Sequence, residues 1–158
     1  MLNRMKKIRF IGATVGIMLT LTACQQVQPV RYSSEAQLVA NAYQQGLSTD
    51  IALNYQQAYL NLKQAYQHCV AYTTEDKMIF TDNRFEPDLE MATLFARTGD
   101  GDYLYKMLVE GLRDGTTRLT LFLPQQHQAA KKRFAQDVSW ALAQDPKCNH
   151  SPILLKQP

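Results

Sequence analysis

The sequence lacks an apolar segment long enough to cross a membrane. Its most apolar run, 10–21, has twelve residues and no charge. As a helix rising about 1.5 Å per residue it would cover roughly 18 Å, against the roughly 30 Å of a bilayer's hydrocarbon core. Four cations and no acid precede the run (Arg4, Lys6, Lys7 and Arg9). This pattern argues against a permanent transmembrane helix here and predicts a secretory signal, 1–23, that is removed from the mature protein.

A cysteine follows the apolar run after two small residues. The stretch Leu21-Thr22-Ala23-Cys24 resembles the lipobox of bacterial lipoproteins. The resemblance implies that Cys24 becomes the first mature residue and carries a thioether-linked diacylglycerol and an acylated amino group. Three acyl chains would exceed what stable membrane anchoring requires. An ordinary signal peptide with a chance cysteine is the alternative.

The residues after Cys24 bear on where the protein is held. Gln25 stands where many enteric bacteria place Asp to retain a lipoprotein at the inner membrane, so the resemblance implies the outer membrane, facing the periplasm. The segment 24–33 is polar, includes Pro29 and has no apolar period, which predicts a flexible tether of at most about 30 Å. The remaining segment, 34–158, is long enough to bury the core of a single domain.

The mature chain also lacks an excess of positive charge. The full sequence has 17 Lys and Arg, 14 Asp and Glu, and a formal net charge of +3 at pH 7. The four signal cations leave with the signal, so 13 basic residues balance 14 acidic ones in the mature chain. Nothing in this balance indicates a nucleic-acid partner.

Cysteine is scarce, with three residues in the chain. Because Cys24 is assigned to the lipid, Cys69 and Cys148 remain, and an even remainder in an oxidising compartment predicts one disulfide. The bond would close a loop of about 80 residues, for which the chain-entropy model gives roughly 4.5 kcal/mol. Free thiols are one alternative. A metal site formed with His68 and His150 is another, although the spacing contains no short C-x-x-C knuckle.

Motifs of enzyme chemistry are missing from the sequence. It has no G-x-S-x-G nucleophile motif and no H-E-x-x-H metal motif. His127 is expected at a solvated or capping position near the start of the last helix. Asp100 and Asp102 are interpreted as turn residues, because the further oxygen ligands of a calcium loop are missing. Other acids are interpreted as a solvent-facing set rather than a catalytic pair (Glu86, Asp88, Glu90 and Glu110). We therefore expect no catalysis, no metal and no cofactor besides the lipid on Cys24.

Helical periodicity is strongest in 51–72. Apolar and aromatic residues recur there at spacings of three and four (Tyr55, Ala58, Leu62, Ala65, Cys69 and Tyr72). The pattern predicts a helix that packs this face against the rest of the domain. An earlier helix is predicted from Ser33 or Ser34 to about Gln45, with Gly46 ending it.

A last helix is predicted over 125–144. Its apolar residues share one face, Trp140 lies beside that face, and charged residues are expected to point away (Lys131, Lys132 and Asp137). The run Lys131-Lys132-Arg133 is interpreted as a solvated helix face, with contact to anionic lipid head groups as the alternative.

From residue 77 onward the period changes to alternation. Four strands are predicted (77–81, 89–96, 103–112 and 116–123), with 82–87 as a loop after the first of them. Asp-Gly pairs at 100–101 and 114–115 predict tight turns between strands. The sequence thus predicts an α+β fold, with an antiparallel four-stranded meander flanked by an N-terminal helical pair and a C-terminal helix, all helices on one face.

The span from the second helix to Cys148 resembles small lipoproteins of the Gram-negative envelope. In that group a Tyr-rich helix ending in Cys precedes a strand meander, and a helix with Trp precedes a closing Cys. The matching residues here are Tyr59, Tyr66, Cys69, Gly115, Thr117, Trp140 and Cys148. The resemblance implies the fold and the cysteine pair, and it implies no activity.

A tethered domain without catalytic motifs is expected to act by binding. We expect an outer-membrane lipoprotein that serves as a non-catalytic accessory or assembly factor of another envelope protein, since tethering raises its effective concentration near membrane partners. The alternative is a periplasmic inhibitor or immunity-type binder of an attacking enzyme or a small ligand. In that hypothesis, the acidic loop 82–88 would enter the cleft of the attacker.

Overall fold

The computed structural model describes residues 31–75, 77–146 and 148. Within them, six strands form one antiparallel sheet and three α-helices complete an α+β fold, the class that the sequence predicts. The strands are β1 (Leu47–Ile51), β2 (Tyr72–Thr73), β3 (Met78–Glu86), β4 (Met91–Thr98), β5 (Tyr103–Gly111) and β6 (Thr117–Phe122). The helices are α1 (Glu35–Ala40), α2 (Tyr55–Ala65) and α3 (Ala130–Ala141). The predicted signal, Cys24 and the tail 149–158 lie outside the described residues.

The sheet contains the predicted meander and two further strands. Its order is β1-β6-β5-β4-β3-β2, so β3 to β6 are four consecutive neighbours. The prediction of four strands is nevertheless wrong, because β1 pairs with β6 and β2 pairs with β3 at the two ends of the sheet. Both added strands are short, and a short strand gives little alternation for a sequence pattern to reveal.

β1 occupies the segment that the sequence led us to interpret as a break between two helices. Ser, Thr and Asp in this segment are typical of helix caps, yet Leu47 pairs with Leu121 and Ile51 with Thr117 in the sheet. Gly46 directs the chain into the strand with a φ of +107°. Tertiary pairing therefore overrides the local capping signal.

β3 extends through the predicted loop. It runs from Met78 to Glu86, and the turn-like residues 82–84 each pair with a residue of β4, for example Asp82 with Phe95. A 3₁₀ turn, Pro87–Leu89, then leads into β4. Polar residues in a strand at the edge of a sheet resemble a loop in sequence, which is why the loop prediction is wrong.

The helices are shorter than predicted. Ser34 caps α1 as expected, but the helix ends at Ala40 and a 3₁₀ turn, Tyr43–Gln45, follows. The side chain of Asn54 accepts a hydrogen bond from the Gln57 N–H and so starts α2 later than predicted. Beyond α2 the chain forms a π-helical turn, Tyr66–Val70.

The main core lies between the sheet and the two longer helices. The predicted stripe of α2 is buried there, with Ala58 and Leu62 fully inaccessible to solvent. Side chains from alternating positions of the central strands meet it (Leu94, Tyr105, Met107, Val109, Leu119 and Leu121). We call this side of the sheet the helical face. Both α2 and α3 cover it, as the sequence predicts for these two helices.

α1 lies on the opposite side of the sheet, so the prediction that all helices share one face is wrong. The Glu35 carboxylate is 2.6 Å from the Lys106 ammonium group, and Lys106 projects away from its core neighbours Tyr105 and Met107 because strand side chains alternate. Leu38 of α1 is fully buried. A single buried leucine in a six-residue helix is too short a pattern to assign that helix to a face from sequence.

Candidate functional site

The two cysteines meet beside the helical face. The sulfur atoms of Cys69 and Cys148 lie at bonding distance, with their Cα atoms 5.5 Å apart, so the pair is placed as a disulfide requires. It joins the π-helical turn after α2 to the segment after α3. His150, which the metal alternative needs, lies outside the described residues. Within the described ranges, no group of three or more His, Cys, Asp or Glu side chains could hold a metal ion.

A buried ion pair lies in the core under α3. Arg133 and Asp137 are 3% and 0% exposed, and the guanidinium donates two hydrogen bonds to the carboxylate, of 2.7 and 3.1 Å. The expectation that Arg133 and Asp137 face solvent is therefore wrong. Their spacing of four residues places them on the same helix face as Ala130 and Trp140, which are also buried. Lys131 and Lys132 are exposed, as predicted.

Aromatic rings enclose the guanidinium of Arg133. Its Cζ atom lies 4.5 Å from the ring centre of Tyr105, 4.8 Å from that of Trp140 and 5.5 Å from that of Tyr66. Burial opposes the charge, but the Asp137 carboxylate and the two phenols together hold the pKa of Arg133 above its ordinary value. Burial also raises the pKa of Tyr66 and Tyr105. The Arg133 guanidinium is thus a charged group in the core, while burial raises the pKa of its partner Asp137.

His127 is buried as well, contrary to the expectation of a solvated or capping position. It is 7% exposed, and neither ring nitrogen has a hydrogen-bond partner among the described residues. Burial lowers its pKa, and the positive charge of Arg133 lowers it further. The turn that follows β6 carries the ring inward, and a lone histidine among glutamines gives no periodic signal that would reveal this.

A small cleft lies beside the disulfide. Its volume is about 190 Å³, and it lies between α2 and the end of α3 (Asn61, Gln64, Ala65, His68, Cys69, Trp140, Ala143, Asp145 and Pro146). Ligand pockets usually enclose about 300 to 1,000 Å³. This cleft does not provide the enclosed, convergent site that a small-molecule enzyme requires.

The acids considered for catalysis are spread over separate elements. Glu86 ends β3, Asp88 lies in the 3₁₀ turn, and Glu110 lies opposite Arg118 across β5 and β6. The backbone N–H of Asp102 closes a turn by donating a hydrogen bond to Thr98 Oγ1, with an N···O distance of 3.2 Å. The acidic segment 82–86 is a strand, so the loop that the inhibitor hypothesis requires is not formed there.

The outer side of β3 is an open sheet edge. On the side of the strand that faces β4, the Met78 carbonyl accepts a hydrogen bond from the Gly99 N–H. On the opposite side, the Lys77 carbonyl accepts a hydrogen bond from the Thr74 N–H. Backbone groups of successive strand residues point to opposite edges. Thr81, Asn83 and Phe85 therefore direct their N–H and C=O groups outward. β2 pairs with Met78 and Ile79, and no described strand pairs with 80–86 on this side.

Exposed apolar side chains concentrate along this edge. Of the large apolar side chains exposed in the described part of the chain, Phe85 (40%), Met78 (46%) and Leu89 (63%) lie on β3 or in the turn after it. Leu60 (55%), on the outer side of α2, is the other. We call the open segment 80–86, together with Met78 and Leu89, the β3 edge. Large apolar groups beside unpaired backbone are the features of a protein-pairing surface.

Aromatic stacking fixes the β3 edge in place. The ring of Phe85 stacks on those of Tyr59 and Tyr55, with centroids 5.0 and 6.0 Å apart. The Tyr59 hydroxyl donates to the Asn83 side-chain oxygen over 2.6 Å. The tyrosines of α2 thus support the strand from the helical face and hold the edge in a fixed position. The tyrosine stripe could be predicted from the sequence, but the outer half of β3, which it supports, could not.

The sequence comparisons found no match. No protein-family model matches the chain, and no curated protein is similar to it in sequence. In the described ranges, no helix combines the length and apolar character that crossing a membrane requires.

Proposed function

We propose that this protein is an outer-membrane lipoprotein, anchored through Cys24 and facing the periplasm, that acts without catalysis as an accessory factor. Its partner is another protein of the cell envelope. The observation that carries the proposal is the β3 edge, where unpaired backbone groups lie among Met78, Phe85 and Leu89.

The geometry of the edge supports binding of an extended protein segment. Such a segment would add a strand next to β3, accepting hydrogen bonds from the outward N–H groups of Thr81 and Phe85 and donating hydrogen bonds to their C=O groups. The main-chain hydrogen bonds would give this pairing its affinity, and Phe85 and Leu89 would add apolar contacts. β1, the strand at the other end of the sheet, has no large exposed apolar side chain. The two edges therefore differ in the feature that favours a partner.

The position of the tether fits a role close to a membrane. Tyr32 pairs with Tyr103 at the start of β5, and the Tyr103 N–H donates to the Tyr32 carbonyl over 2.8 Å. Seven residues lie between Cys24 and Tyr32, and the eight steps along the chain span at most about 29 Å when extended. A lipid on Cys24 would hold the domain within reach of envelope proteins at that membrane.

The anchor is tested by substitution of Cys24. We expect Cys24→Ala to abolish palmitate labelling and to release the protein from the membrane fraction. Gln25→Asp is the matched variant, because it keeps the lipidated cysteine but should redirect the protein to the inner membrane on a density gradient. Unchanged labelling and fractionation of Cys24→Ala would reject the anchor.

The pairing surface is tested at Thr81. Proline at this position removes one outward N–H without removing a hydrogen bond to β4, since edge positions tolerate proline where the N–H faces solvent. We expect Thr81→Pro to lose the envelope protein that crosslinks to the wild-type lipoprotein in cells. Thr81→Val, which keeps the N–H, should retain it. Equal recovery with both variants, each as resistant to proteolysis as wild type, would contradict pairing at this edge.

A further inference from the structure

The open part of β3 is symmetric about Asn83. On one side it ends at Ile79, whose outer side is already paired with Tyr72 of β2. On the other side it ends at Pro87, which has no N–H to donate. Between these limits lie the residues 80–86, with Asn83 at their midpoint. A second copy of the chain could therefore pair along this whole segment about a two-fold axis, with no unpaired overhang in either copy.

The backbone groups are compatible with this arrangement. In an antiparallel pair centred on Asn83, Asn83 faces its own equivalent, and Thr81 faces Phe85 of the second copy. These are the three residues whose N–H and C=O groups point outward, so every outward group in the segment would find a partner. In the single chain the Asn83 N–H is donated to Asp82 Oδ1 over 2.7 Å. Pairing would replace this local hydrogen bond and free the Asp82 carboxylate.

The charges are complementary in the same register. Asp82 comes to lie opposite Arg84 of the second copy, and Arg84 opposite its Asp82, on the face of the sheet away from α2. Both side chains are 56% exposed, and their contacts within the chain are long, 4.0 Å from Asp82 to Arg97 and 3.8 Å from Arg84 to Glu35. They are free to reach across an interface. Opposite charges that face each other directly across antiparallel strands favour the pairing.

The apolar ends of the edge also match. Met78 lies at one end of β3 and Leu89 follows the other end, and both are exposed. A two-fold axis at Asn83 brings the Met78 end of one copy beside the Leu89 end of the other. Two exposed apolar groups that have no role in the single chain would thus be covered together.

We propose that two copies of this protein pair through their β3 edges, antiparallel and centred on Asn83, with Asp82 of each copy facing Arg84 of the other. The inference rests on the proposed function in treating the β3 edge as a pairing surface, and it adds a second copy as an occupant. A partner protein would then compete with the second copy for the edge. The paired state would also protect each edge from uncontrolled strand addition.

Charge reversal tests the register with the full chain. Differently tagged copies of the lipoprotein are solubilised from membranes in detergent, and co-purification of the second tag is measured. Asp82→Arg paired with itself places Arg against Arg, and Arg84→Asp paired with itself places Asp against Asp. We expect self-association of each variant to be about tenfold weaker than that of wild type, since two like-charged pairs replace two opposite-charged ones.

Two combinations should restore pairing. When Asp82→Arg is mixed with Arg84→Asp, opposite charges again face each other across the interface. The same holds when the double swap Asp82→Arg/Arg84→Asp pairs with itself. Recovery in the mixed sample also shows that each single variant is folded. The matched control is the swap Asp50→Arg/Arg118→Asp, which exchanges a similarly exposed ion pair on β1 and β6, away from the β3 edge. It should leave self-association unchanged.

The outcomes separate this inference from the proposed function. The inference is overturned if the charge reversals leave self-association unchanged, or if the wild-type protein does not self-associate. If the envelope protein that requires the Thr81 N–H is still captured in that case, the proposed function stands. If the charge pattern holds but no envelope protein is captured, the inference stands and the proposed function fails.

Discussion

Arg133 and Asp137 place two full charges inside the core of the domain. Removing a guanidinium and a carboxylate from water is costly, and the cost is offset here by two hydrogen bonds and by three aromatic rings around the cation. Trp140 and Tyr105 pack on the guanidinium and at the same time belong to the apolar core. The cluster therefore helps to fix the rotation of α3 on the sheet, because another rotation would move the Arg133 guanidinium away from the rings of Tyr66 and Tyr105.

Loss of one member of this pair should be far more damaging than loss of both. We expect Arg133→Met to lower the free energy of unfolding by about 3–5 kcal/mol, because it leaves the Asp137 carboxylate buried without its partner. The double variant Arg133→Met/Asp137→Leu should recover most of the loss. Urea unfolding at neutral pH measures both values. A double variant as unstable as the single one would show that the ion pair itself is required for the fold.

His127 should make the domain less stable as the pH falls. Its pKa in the folded protein is below the ordinary value of 6.5, because of burial and then the charge of Arg133. The unfolded chain thus takes up the proton first, and stability is lost as the pH drops from about 6.5 through the folded pKa. His127→Phe removes this contribution, so its stability relative to wild type should rise between pH 7.5 and pH 5. His68→Phe, at an exposed histidine, is the control. Parallel pH profiles for wild type and His127→Phe would contradict the assignment.

The burial of these polar residues was not predicted from the sequence. A charged side chain on a helix is assigned to solvent by default, and Lys131 and Lys132 follow that rule. Arg133 and Asp137 do not, although their spacing continues that of Ala130 and Trp140 on the buried face. The periodicity was therefore available in the sequence. Two of the three rings that surround the cation, Tyr66 and Tyr105, come from elements distant in sequence, and their convergence on Arg133 could not be predicted.

Gly46 is needed for β1 to enter the sheet. Its φ is +107°, and a Cβ added there would lie 2.9 Å from the ring of Phe122 on β6. We expect Gly46→Ala to lower the free energy of unfolding by about 2–4 kcal/mol, from backbone strain and the close contact together. Gly115 has a φ of +80° with open space around it. Gly115→Ala should therefore cost about 1–2 kcal/mol, from the backbone alone.

The comparison of the two glycines is made by urea unfolding of both variants under the same conditions. A larger loss in Gly46→Ala supports the close packing of β1 on β6. Equal losses would show that Phe122 moves aside at little cost and that the contact does not constrain the strand.

Elements were predictable from sequence where strong local signals coincided. The Asp-Gly turns at 100–101 and 114–115 and the alternation of 116–123 lead to β5 and β6 nearly as observed. The outer half of β3 could not be found, because Asp82, Asn83 and Arg84 are typical of turns and their strand conformation depends on pairing with β4. The candidate pairing edge was missed for the same reason. It consists of residues whose role is set by their neighbours in the sheet.

At the scale of the whole molecule, the domain has a closed core and one apolar open edge. The central residues of the helical face are buried, and α1 covers part of the other face. The disulfide-distance pair Cys69 and Cys148 holds the ends of two helices together on one side. Among the described residues, the β3 edge is the sheet edge that carries large exposed apolar side chains, and Tyr59 and Phe85 stiffen it. A rigid domain with one such edge, on the short lipid tether that we propose, suits a protein that pairs with others at a membrane.

The claim that the β3 edge is the binding surface is tested most directly by photo-crosslinking in living cells. A photoreactive aromatic residue replaces Phe85 in the full-length protein, and the same residue replaces Leu60 in the matched control, since both positions expose an apolar side chain. The proposal predicts an adduct with another envelope protein, alongside a self-adduct, from position 85 and little from position 60. No adduct with another protein from position 85, or equal adducts from both positions, would contradict it.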